Sequence, residues 1–313
     1  MGNKGRKKIS IIGAGNVGAS AALWIASKGL GDVVLVDIVE GLPQGKALDL
    51  GQALPVLGQN NSVTGSNKYD ETKDSDVVVI TAGKIRTAEM TREDLYHDNT
   101  KILTNVLSHV CKASPNSILI IVTNPLDVMV HLALQQTGFP RHRVMGMAGC
   151  LDSTRLRYFI AQELCCNPAE VHAMVIGSHN EDMVPVLSNA TVNGKPVEKL
   201  LSKEKLAKAV EATRHAGKAF LPLMKTTAYV APGIAIAEMV EAIVNDKHCI
   251  LPVSTFLDGE YHQKGIVIGV PCVLGKKGIE RVIELPLTKE EQAQFEKCCD
   301  DVKSLIKQYE GKK

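Results

Sequence analysis

Aromatic residues are scarce in this sequence, and neither charge is in large excess. Only 4% of its 313 residues are aromatic, and 36 Lys and Arg against 34 Asp and Glu leave a net charge of +2. Because there is neither a broad basic face nor an aromatic stacking platform, nucleic acid is not an expected partner. The hydrophobic content of 45% and the charged content of 22% are ordinary for a globular protein of about two domains.

Metal-ligand and disulfide patterns are also missing. The eight cysteines include no C-x-x-C pair, and the nine histidines form no cluster at ligand spacing, so we predict no metal site. Disulfide frameworks are typical of short secreted chains rather than of chains of this length. We therefore expect reduced thiols in a cytoplasmic protein.

No segment has the roughly 20 mainly apolar residues that a membrane-spanning helix needs. Residues 9–27 carry no charged side chain and follow a basic stretch, which is the pattern of a secretory signal. However, Gly13, Gly15 and Gly18 interrupt this run, and another apolar segment follows it directly. The sequence therefore predicts a soluble protein with no membrane partner.

The first half of the chain alternates short apolar runs with helix-length amphipathic stretches such as 17–28 and 99–113. The apolar runs are nearly continuous, which is typical of parallel strands buried on both faces. This rhythm predicts an α/β fold with a doubly wound parallel sheet. The predicted strands are residues 8–12, 33–37, 62–65, 77–82, 118–122 and 143–147.

After about residue 148 the pattern changes to that of an α+β catalytic domain. A hairpin is predicted at Asn193-Gly194, because this dipeptide suits a tight turn. We predict two domains, residues 1–147 and 148–313, and the helix near 230–246 is a candidate for packing back on the first. The other predicted elements of the second half are helices at 153–164, 203–218 and 289–309 and strands at 250–255 and 265–270.

A glycine-rich turn joins the first predicted strand to a helix. In Gly13-x-Gly15-x-x-Gly18, the glycines allow a tight turn, a close approach of a pyrophosphate and close helix packing. Asp37 stands nineteen residues after Gly18, where its carboxylate can bind ribose hydroxyls and would repel a 2′-phosphate. No Arg follows at Ile38, so we predict a Rossmann-type domain that binds NAD rather than NADP. The alternative is an ordinary turn with Asp37 as a helix cap.

Three other segments carry polar residues that are costly in apolar surroundings unless they are used. Asp152 and Arg155 are one turn apart on a predicted helix and hence on one face. His179 follows an apolar run, and Asn124 ends a buried strand at the sheet edge where ligands bind. Taken singly, Asp152 and Arg155 have the alternative of an ordinary salt bridge on the helix. The alternative for His179 is an ordinary surface or core histidine.

In combination, these residues resemble the lactate/malate dehydrogenase family over nearly the whole chain. Within that family, the pattern is most similar to that of the lactate-dehydrogenase-like malate dehydrogenases. The matching elements are Gly13-x-Gly15-x-x-Gly18, Asp37, Thr81-Ala-Gly83, Arg92, Val122-Thr-Asn124-Pro125, Leu151-Asp152-x-x-Arg155, His179, Tyr229-x-Ala-Pro232 and the segment near Tyr261.

The resemblance implies an NAD-dependent oxidoreductase, an enzyme of the tricarboxylic acid cycle, that acts on a small dicarboxylate or 2-oxo acid. It also implies a cytoplasmic homotetramer, with a dimer as the alternative. The residues that it assigns to the cofactor are Gly13, Gly15, Asn16, Val17, Gly18, Asp37, Thr81, Ala82, Gly83, Asn99, Val122 and Asn124.

The resemblance assigns catalytic roles that agree with the chemistry of each side chain. His179 is the general acid/base, because imidazole titrates near the operating pH. Asp152 orients the imidazole and stabilises its charged form, as a carboxylate does in a serine-protease triad. Arg155 binds the substrate carboxylate through the paired hydrogen bonds that a guanidinium provides.

Three further residues complete the implied substrate site. Arg92 polarises the carbonyl from a closing loop, which stabilises the developing alkoxide; its alternative is a helix-start residue. Asn124 donates a positioning hydrogen bond, and Thr227 lines the pocket.

Arg86 decides the substrate in this interpretation. Malate dehydrogenases resemble this chain in having Arg at that place, where it binds the second carboxylate of oxaloacetate, whereas lactate dehydrogenases have Gln. The loop departs from the family at Ile85 and at Ala88-Glu89, and Asn180 replaces a glycine that usually follows the catalytic His. We expect Asn180 to keep the turn by adopting the left-handed region. A lactate-type or relaxed-specificity enzyme and a silent NAD-binding protein are the alternatives to malate dehydrogenase.

Overall fold

The computed structural model describes residues 5–84 and 90–310, without the side chains of Arg92 and Glu310. These residues divide between two compact units. The first contains the chain up to Gly146 together with Tyr229–Cys249 and Val273–Arg281. The second contains Met147–Ala228, Ile250–Cys272 and the chain from Val282 onward.

Six strands of the first unit are parallel neighbours in one sheet. Their order across it is β3 (Val63–Ser66), β2 (Asp32–Val36), β1 (Lys8–Ile12), β4 (Val77–Ile80), β5 (Ile118–Ile121) and β6 (Val144–Gly146). Ile9 of the central strand pairs with Val33 on one side and Val77 on the other, so the strand order reverses there. This doubly wound arrangement confirms the predicted fold class. Its strands are buried almost throughout, as is typical of parallel sheets, except for β3, which lies at the edge of the sheet and is partly exposed.

Four helices alternate with these strands: α1 (Asn16–Ser27), α2 (Leu42–Ala53), α3 (Arg92–Ala113) and α4 (Leu126–Thr137). The prediction that α3 begins at residue 99 is wrong by two turns. Thr91 and Asp94 form a reciprocal capping box, which satisfies the first free amides of the helix and fixes its start at Arg92.

The second unit begins with α5 (Gly149–Leu164) and continues with β7 (Val171–Ile176), β8 (Val184–Val192), β9 (Lys195–Pro196) and α6 (Lys203–Met224). Asn193 and Gly194 have φ values of 49° and 79°, so the predicted tight hairpin turn between β8 and β9 is confirmed. Helix α6 runs further than the predicted 203–218. The core of this unit contains Leu156, Ile160, Val171, Val175, Met183, Ala190 and Leu206.

The remaining elements are α7 (Val230–Val244), β10 (Cys249–Asp258), β11 (Lys264–Gly275), β12 (Gly278–Val282) and α8 (Lys289–Glu310). Helix α7 belongs to the first unit and packs against α1. This contact needs Gly233, because a Cβ at that position would lie 2.3 Å from Ser20 Oγ.

Two observations bear on the predicted environment of the protein. Among the described residues, no helix combines the length and the apolar character needed to cross a membrane. The eight cysteines all lie in the described part of the chain, and no disulfide joins any two of them.

Candidate active site

The turn after β1 has a geometry that requires glycine at two positions. Gly13 has φ +108°, a conformation that side chains disfavour, and its N–H donates to the carbonyl of Val36 at 2.7 Å. A Cβ at Gly18 would lie 1.9 Å from the carbonyl oxygen of Gly13. The turn therefore packs closely on the start of α1, as the spacing of the glycines predicts.

The N-terminus of α1 has the features of a phosphate site. Its N-cap is Gly15, no described side chain caps it, and no acidic residue lies in its first turn. A Cβ built on Gly15 meets no described atom within 4 Å, so the backbone borders open space. Unpaired N–H groups and the helix dipole favour an anion here, and the turn suits the pyrophosphate of NAD.

Asp37 follows β2 and is held by backbone amides. Its Oδ2 accepts a hydrogen bond from Ala14 N at 2.7 Å, and its Oδ1 accepts one from Val39 N at 3.0 Å. Each carboxylate oxygen keeps a lone pair that can accept a ribose hydroxyl. The alternative of a helix cap is wrong, because the N-cap of α2 is Gly41. Ile38 is almost fully exposed and offers no cation for a 2′-phosphate.

The ends of β4 and β5 are tied together by side chains. Buried Asn99 accepts a hydrogen bond from Lys84 N at 2.7 Å and donates one to the carbonyl of Asn124 at 2.7 Å. Thr123 Oγ1 donates to the carbonyl of Ala82 at 2.7 Å. A Cβ at Gly83 would lie 2.7 Å from Thr123 Cγ2. The predicted cofactor segments Thr81–Gly83 and Val122–Asn124 are thus neighbours in the first unit.

Two predicted catalytic residues and one predicted substrate-binding residue meet in the second unit. Asp152 Oδ2 lies 2.6 Å from His179 Nδ1, and Asp152 Oδ1 accepts a hydrogen bond from Arg155 Nη1 at 3.2 Å. The side chain of Asp152 is 2% exposed, against 15% for Arg155 and 18% for His179. A buried carboxylate therefore lies between an imidazole and a guanidinium.

Helix α5 positions the acidic partner. Its turn spacing places Asp152 and Arg155 on one face. Ser153 Oγ accepts a hydrogen bond from Val175 N at 2.9 Å and so fastens the helix to the end of β7. A Cβ at Gly149 would lie 2.7 Å from Val175 O, so glycine permits this close approach.

His179 is the middle residue of a three-residue turn. Asn180 N donates to the carbonyl of Ser178 at 2.9 Å, an i to i+2 bond of the γ-turn type. The expectation that Asn180 is left-handed is wrong: its φ is not positive, and its Oδ1 instead accepts a hydrogen bond from Asp182 N at 2.7 Å. The side chain of this asparagine closes a second turn, over residues 180–182.

The electrostatics of this cluster suit proton transfer. Burial lowers the pKa of Arg155, while the adjacent Asp152 acts in the opposite direction, and the guanidinium stays positive at neutral pH. When Nδ1–H donates to Asp152, Nε2 is the ring nitrogen that can exchange a proton; this tautomer is inferred from the hydrogen bond. The arrangement can protonate a substrate oxygen and bind a substrate carboxylate.

Three predicted substrate-binding residues differ in how much the structure shows of them. Arg86, with Ile85 and Ala88-Glu89, lies outside the described residues. Arg92 is the first residue of α3, as its helix-start alternative states. Thr227 is half-buried and lies between α6 and α7, in the second unit.

Comparison with known families matches both halves of the chain. Residues 7–146 match the family of the lactate/malate dehydrogenase NAD binding domain. Residues 150–312 match the family of the lactate/malate dehydrogenase alpha/beta C-terminal domain. These matches confirm the predicted cofactor, NAD, and the predicted type of fold.

Individual relatives agree with this result. Malate dehydrogenase from Roseiflexus sp. (strain RS-1) is 51% identical over 302 residues, which is 96% of this chain and 98% of that protein. The structure of malate dehydrogenase from Salinibacter ruber has a TM-score of 0.92 at 44% identity, over 97% of this chain and 99% of that chain. Lactate dehydrogenase from Cryptosporidium parvum, complexed with lactic acid and β-nicotinamide adenine dinucleotide, has a TM-score of 0.93 at 41% identity, over 96% and 97%. The chain belongs to the lactate/malate dehydrogenase family of NAD-dependent dehydrogenases.

Proposed function

We propose that the protein is a malate dehydrogenase that interconverts malate and oxaloacetate with NAD. The observation that carries this proposal is the cluster in which Asp152 joins His179 and Arg155 through hydrogen bonds of 2.6 and 3.2 Å. It combines a proton-transfer group with a carboxylate-binding group. Relatives named malate dehydrogenase that are 49% and 51% identical to this chain support the choice of substrate.

His179 moves the proton in either direction of the reaction. When NADH is bound, its nicotinamide supplies the hydride for the carbonyl carbon. The imidazolium of His179 donates its proton to the carbonyl oxygen, and the neutral imidazole takes the proton back from malate. Asp152 holds the ring in one tautomer and stabilises its charged form.

Arginines bind and polarise the substrate in this proposal. Arg155 binds the carboxylate next to the reacting carbon, with Asp152 fixing the orientation of the guanidinium. Arg92 polarises the carbonyl oxygen and stabilises the alkoxide that develops. Asn124 donates a hydrogen bond to the substrate, and Thr227 lines the pocket.

Each of the two proposed domains has its own function. Residues 1–147 bind NAD, and residues 148–313 carry the catalytic cluster. Asp37 binds the adenosine ribose and selects NAD over NADP. The amides at the start of α1 bind the pyrophosphate. The proposed cofactor residues are Gly13, Gly15, Asn16, Val17, Gly18, Asp37, Thr81, Ala82, Gly83, Asn99, Val122 and Asn124.

Arg86 selects the dicarboxylate by pairing with the second carboxylate of oxaloacetate. The second candidate function is a lactate-type or relaxed-specificity dehydrogenase. It is supported by the similarity to the lactate dehydrogenase complexed with lactic acid, because that protein shares the fold but takes a monocarboxylate.

We further propose a cytoplasmic homotetramer of the tricarboxylic acid cycle, with a dimer as the alternative. The support for assembly is a set of exposed apolar side chains at and after α2, namely Leu48, Val56 and Leu57. Contiguous exposed apolar patches are typical of protein–protein contacts, and for this reason we take these three side chains as support for assembly. Mass photometry distinguishes the two assemblies directly.

The experiment that tests the function measures initial rates of NADH oxidation with oxaloacetate, pyruvate and 4-methyl-2-oxopentanoate side by side. The proposal predicts that kcat/KM is highest for oxaloacetate. A preference for pyruvate would establish the lactate-type alternative. NADH binding without turnover of any of the three would establish a silent NAD-binding protein.

A further inference from the structure

A buried thiol on the last helix lies directly behind the turn that carries His179. One face of α8 is buried and contains Phe295, Cys298, Cys299, Val302 and Ile306, a spacing that places them on a single stripe of the helix. Within this stripe, the thiol of Cys298 reaches Ser178, the residue before His179.

Cys298 makes two hydrogen bonds to the same residue. Its Sγ accepts a bond from the backbone N–H of Ser178 at 2.9 Å, and its S–H donates to Ser178 Oγ at 3.0 Å. Cys298 is 1% exposed and Ser178 is 3% exposed. Both residues are shielded from bulk water, so a side chain that fills the space without a polar atom would leave the buried N–H of Ser178 without this partner.

The opposite side of this segment is fixed by backbone pairing. Gly177 N donates to Gly269 O at 2.8 Å, and Gly269 N donates to Gly177 O at 3.0 Å. A Cβ at Gly177 would lie 3.0 Å from Cys298 Sγ. The backbone before His179 is thus held by backbone pairing with β11 and by the Cys298 thiol on α8.

We propose that Cys298 is a positioning residue for His179, acting through its two hydrogen bonds to Ser178. This inference rests on the proposed function of His179 as the proton-transfer group. The imidazole leaves the chain one residue after Ser178, and its 2.6 Å contact with Asp152 depends on where the turn is held. Loosening of Ser178 shifts the imidazole relative to both Asp152 and the substrate, and a shift of about 1 Å at a reacting group costs on the order of 100-fold in rate.

The role requires a side chain that both accepts and donates. Cys298→Ser keeps both functions at nearly the same volume. Cys298→Val fills the volume without any hydrogen bond, and Cys298→Ala removes both. Cys299→Ala is the matched control, since Cys299 is the next residue, is equally buried and has a thiol whose pKa is raised by burial to about 12.

The test compares these four variants with the wild type for kcat with oxaloacetate and for the Kd of NADH. We expect Cys298→Val and Cys298→Ala to lower kcat by roughly 10- to 100-fold while the Kd of NADH stays within about twofold. Cys298→Ser should recover most of the lost rate, and Cys299→Ala should keep the wild-type rate. Equal losses in Cys299→Ala and Cys298→Ala would overturn the proposal, as would a Cys298→Val enzyme with unchanged kcat. If Cys298→Ala does not fold, the contrast between Cys298→Ser and Cys298→Val decides alone.

A second measurement separates this inference from the proposed function. Hydrogen–deuterium exchange of residues 177–183 needs no substrate, and it should be faster in Cys298→Val than in Cys298→Ser and Cys299→Ala. A wild-type protein that reduces none of the 2-oxo acids would refute the proposed function. The exchange data would still show whether Cys298 restrains the backbone at Ser178. Equal exchange rates of residues 177–183 in all variants would refute this restraint, whatever the activity.

Discussion

The proposed cofactor region and the catalytic cluster use different chemical groups: the first uses mainly the backbone, and the second uses side chains. Around the turn after β1, the chain offers backbone amides, the positive end of α1 and glycines at positions such as Gly13 and Gly18 where a side chain would collide. In the catalytic cluster, two charged or titratable side chains, His179 and Arg155, contact the buried carboxylate of Asp152. The first region relies on backbone groups and on positions without a side chain. The second relies on the charged and titratable groups of its side chains.

This difference predicts how each region responds to substitution. A backbone-built site loses affinity only when its shape or its one selective carboxylate changes. A site built from buried charged side chains loses function at each member, because removal of one leaves the others without a partner. The substitutions below test this contrast, from the largest expected effect to the smallest.

Asp152→Asn should have the largest effect. It removes the carboxylate that stabilises charged His179 and that accepts a hydrogen bond from Arg155, so we expect kcat/KM to fall roughly 10²- to 10⁴-fold. The Kd of NADH, measured by fluorescence, should stay unchanged. A variant with more than about a tenth of the wild-type kcat/KM would show that the carboxylate is dispensable for catalysis.

Arg86→Gln should have the next largest effect, confined to one substrate. Truncation of one partner of a buried charge pair costs about 2–5 kcal/mol, so kcat/KM for oxaloacetate should fall roughly 30- to 3000-fold. Pyruvate carries a methyl group at that place and should react as fast as before, or faster. An unchanged ratio of the two substrates would mean that Arg86 does not face the second carboxylate.

The double variant Asp37→Ser with Ile38→Arg tests the cofactor region. It removes the charge that repels a 2′-phosphate and adds a cation beside it, and hydrogen bonds to charged groups contribute about 1.5–3 kcal/mol. We expect the preference for NADH over NADPH to narrow by roughly 10- to 100-fold, with little change in the substrate ratio. If the wild type has the same kcat/KM with NADPH as with NADH, the proposed role of Asp37 is wrong.

Glu291→Gln lies outside both regions and should affect stability alone. The buried carboxylate of Glu291 accepts hydrogen bonds from Ser188 N, Ser188 Oγ and Thr288 N at 3.0, 2.7 and 2.9 Å. Burial alone would raise the pKa of Glu291, but these bonds outweigh it and lower the pKa. The charged form therefore adds stability above its ordinary pKa of 4.5, and this stability is lost as the pH falls through the lowered value.

In that variant we expect the free energy of unfolding at pH 7 to fall by about 1–3 kcal/mol, with the two proteins converging at low pH. Denaturant unfolding across the pH range measures this difference. A gap that stays constant down to pH 3 would show that the charge of Glu291 contributes nothing.

The two regions also differ in how far the sequence predicts them. The glycine motif and Asp37 are close in sequence to β1 and β2, so pattern and spacing are enough to place them. The cluster joins residues from α5 and from the turn after β7, and their meeting follows from the family resemblance rather than from periodicity. The contact of Cys298 with Ser178 spans 120 residues, and no local pattern indicates it.

Boundaries were predicted less well where side chains rather than periodicity set them. Helix α3 begins at a capping box seven residues before the predicted start, because Thr91 and Asp94 outweigh the weak apolar pattern of its first turns. Helices α2 and α4 were not predicted at all. The first buries only Pro43 and Ala47, so it has almost no apolar stripe to detect.

The most direct test of the account is His179→Asn, measured for NADH binding and for turnover in the same preparation. The account separates a backbone-built cofactor region from a side-chain-built catalytic cluster. It therefore predicts an unchanged Kd for NADH together with a kcat for oxaloacetate reduction that falls roughly 10²- to 10⁴-fold. Turnover retained within about threefold of the wild type would contradict the account, because the proton would then come from another group.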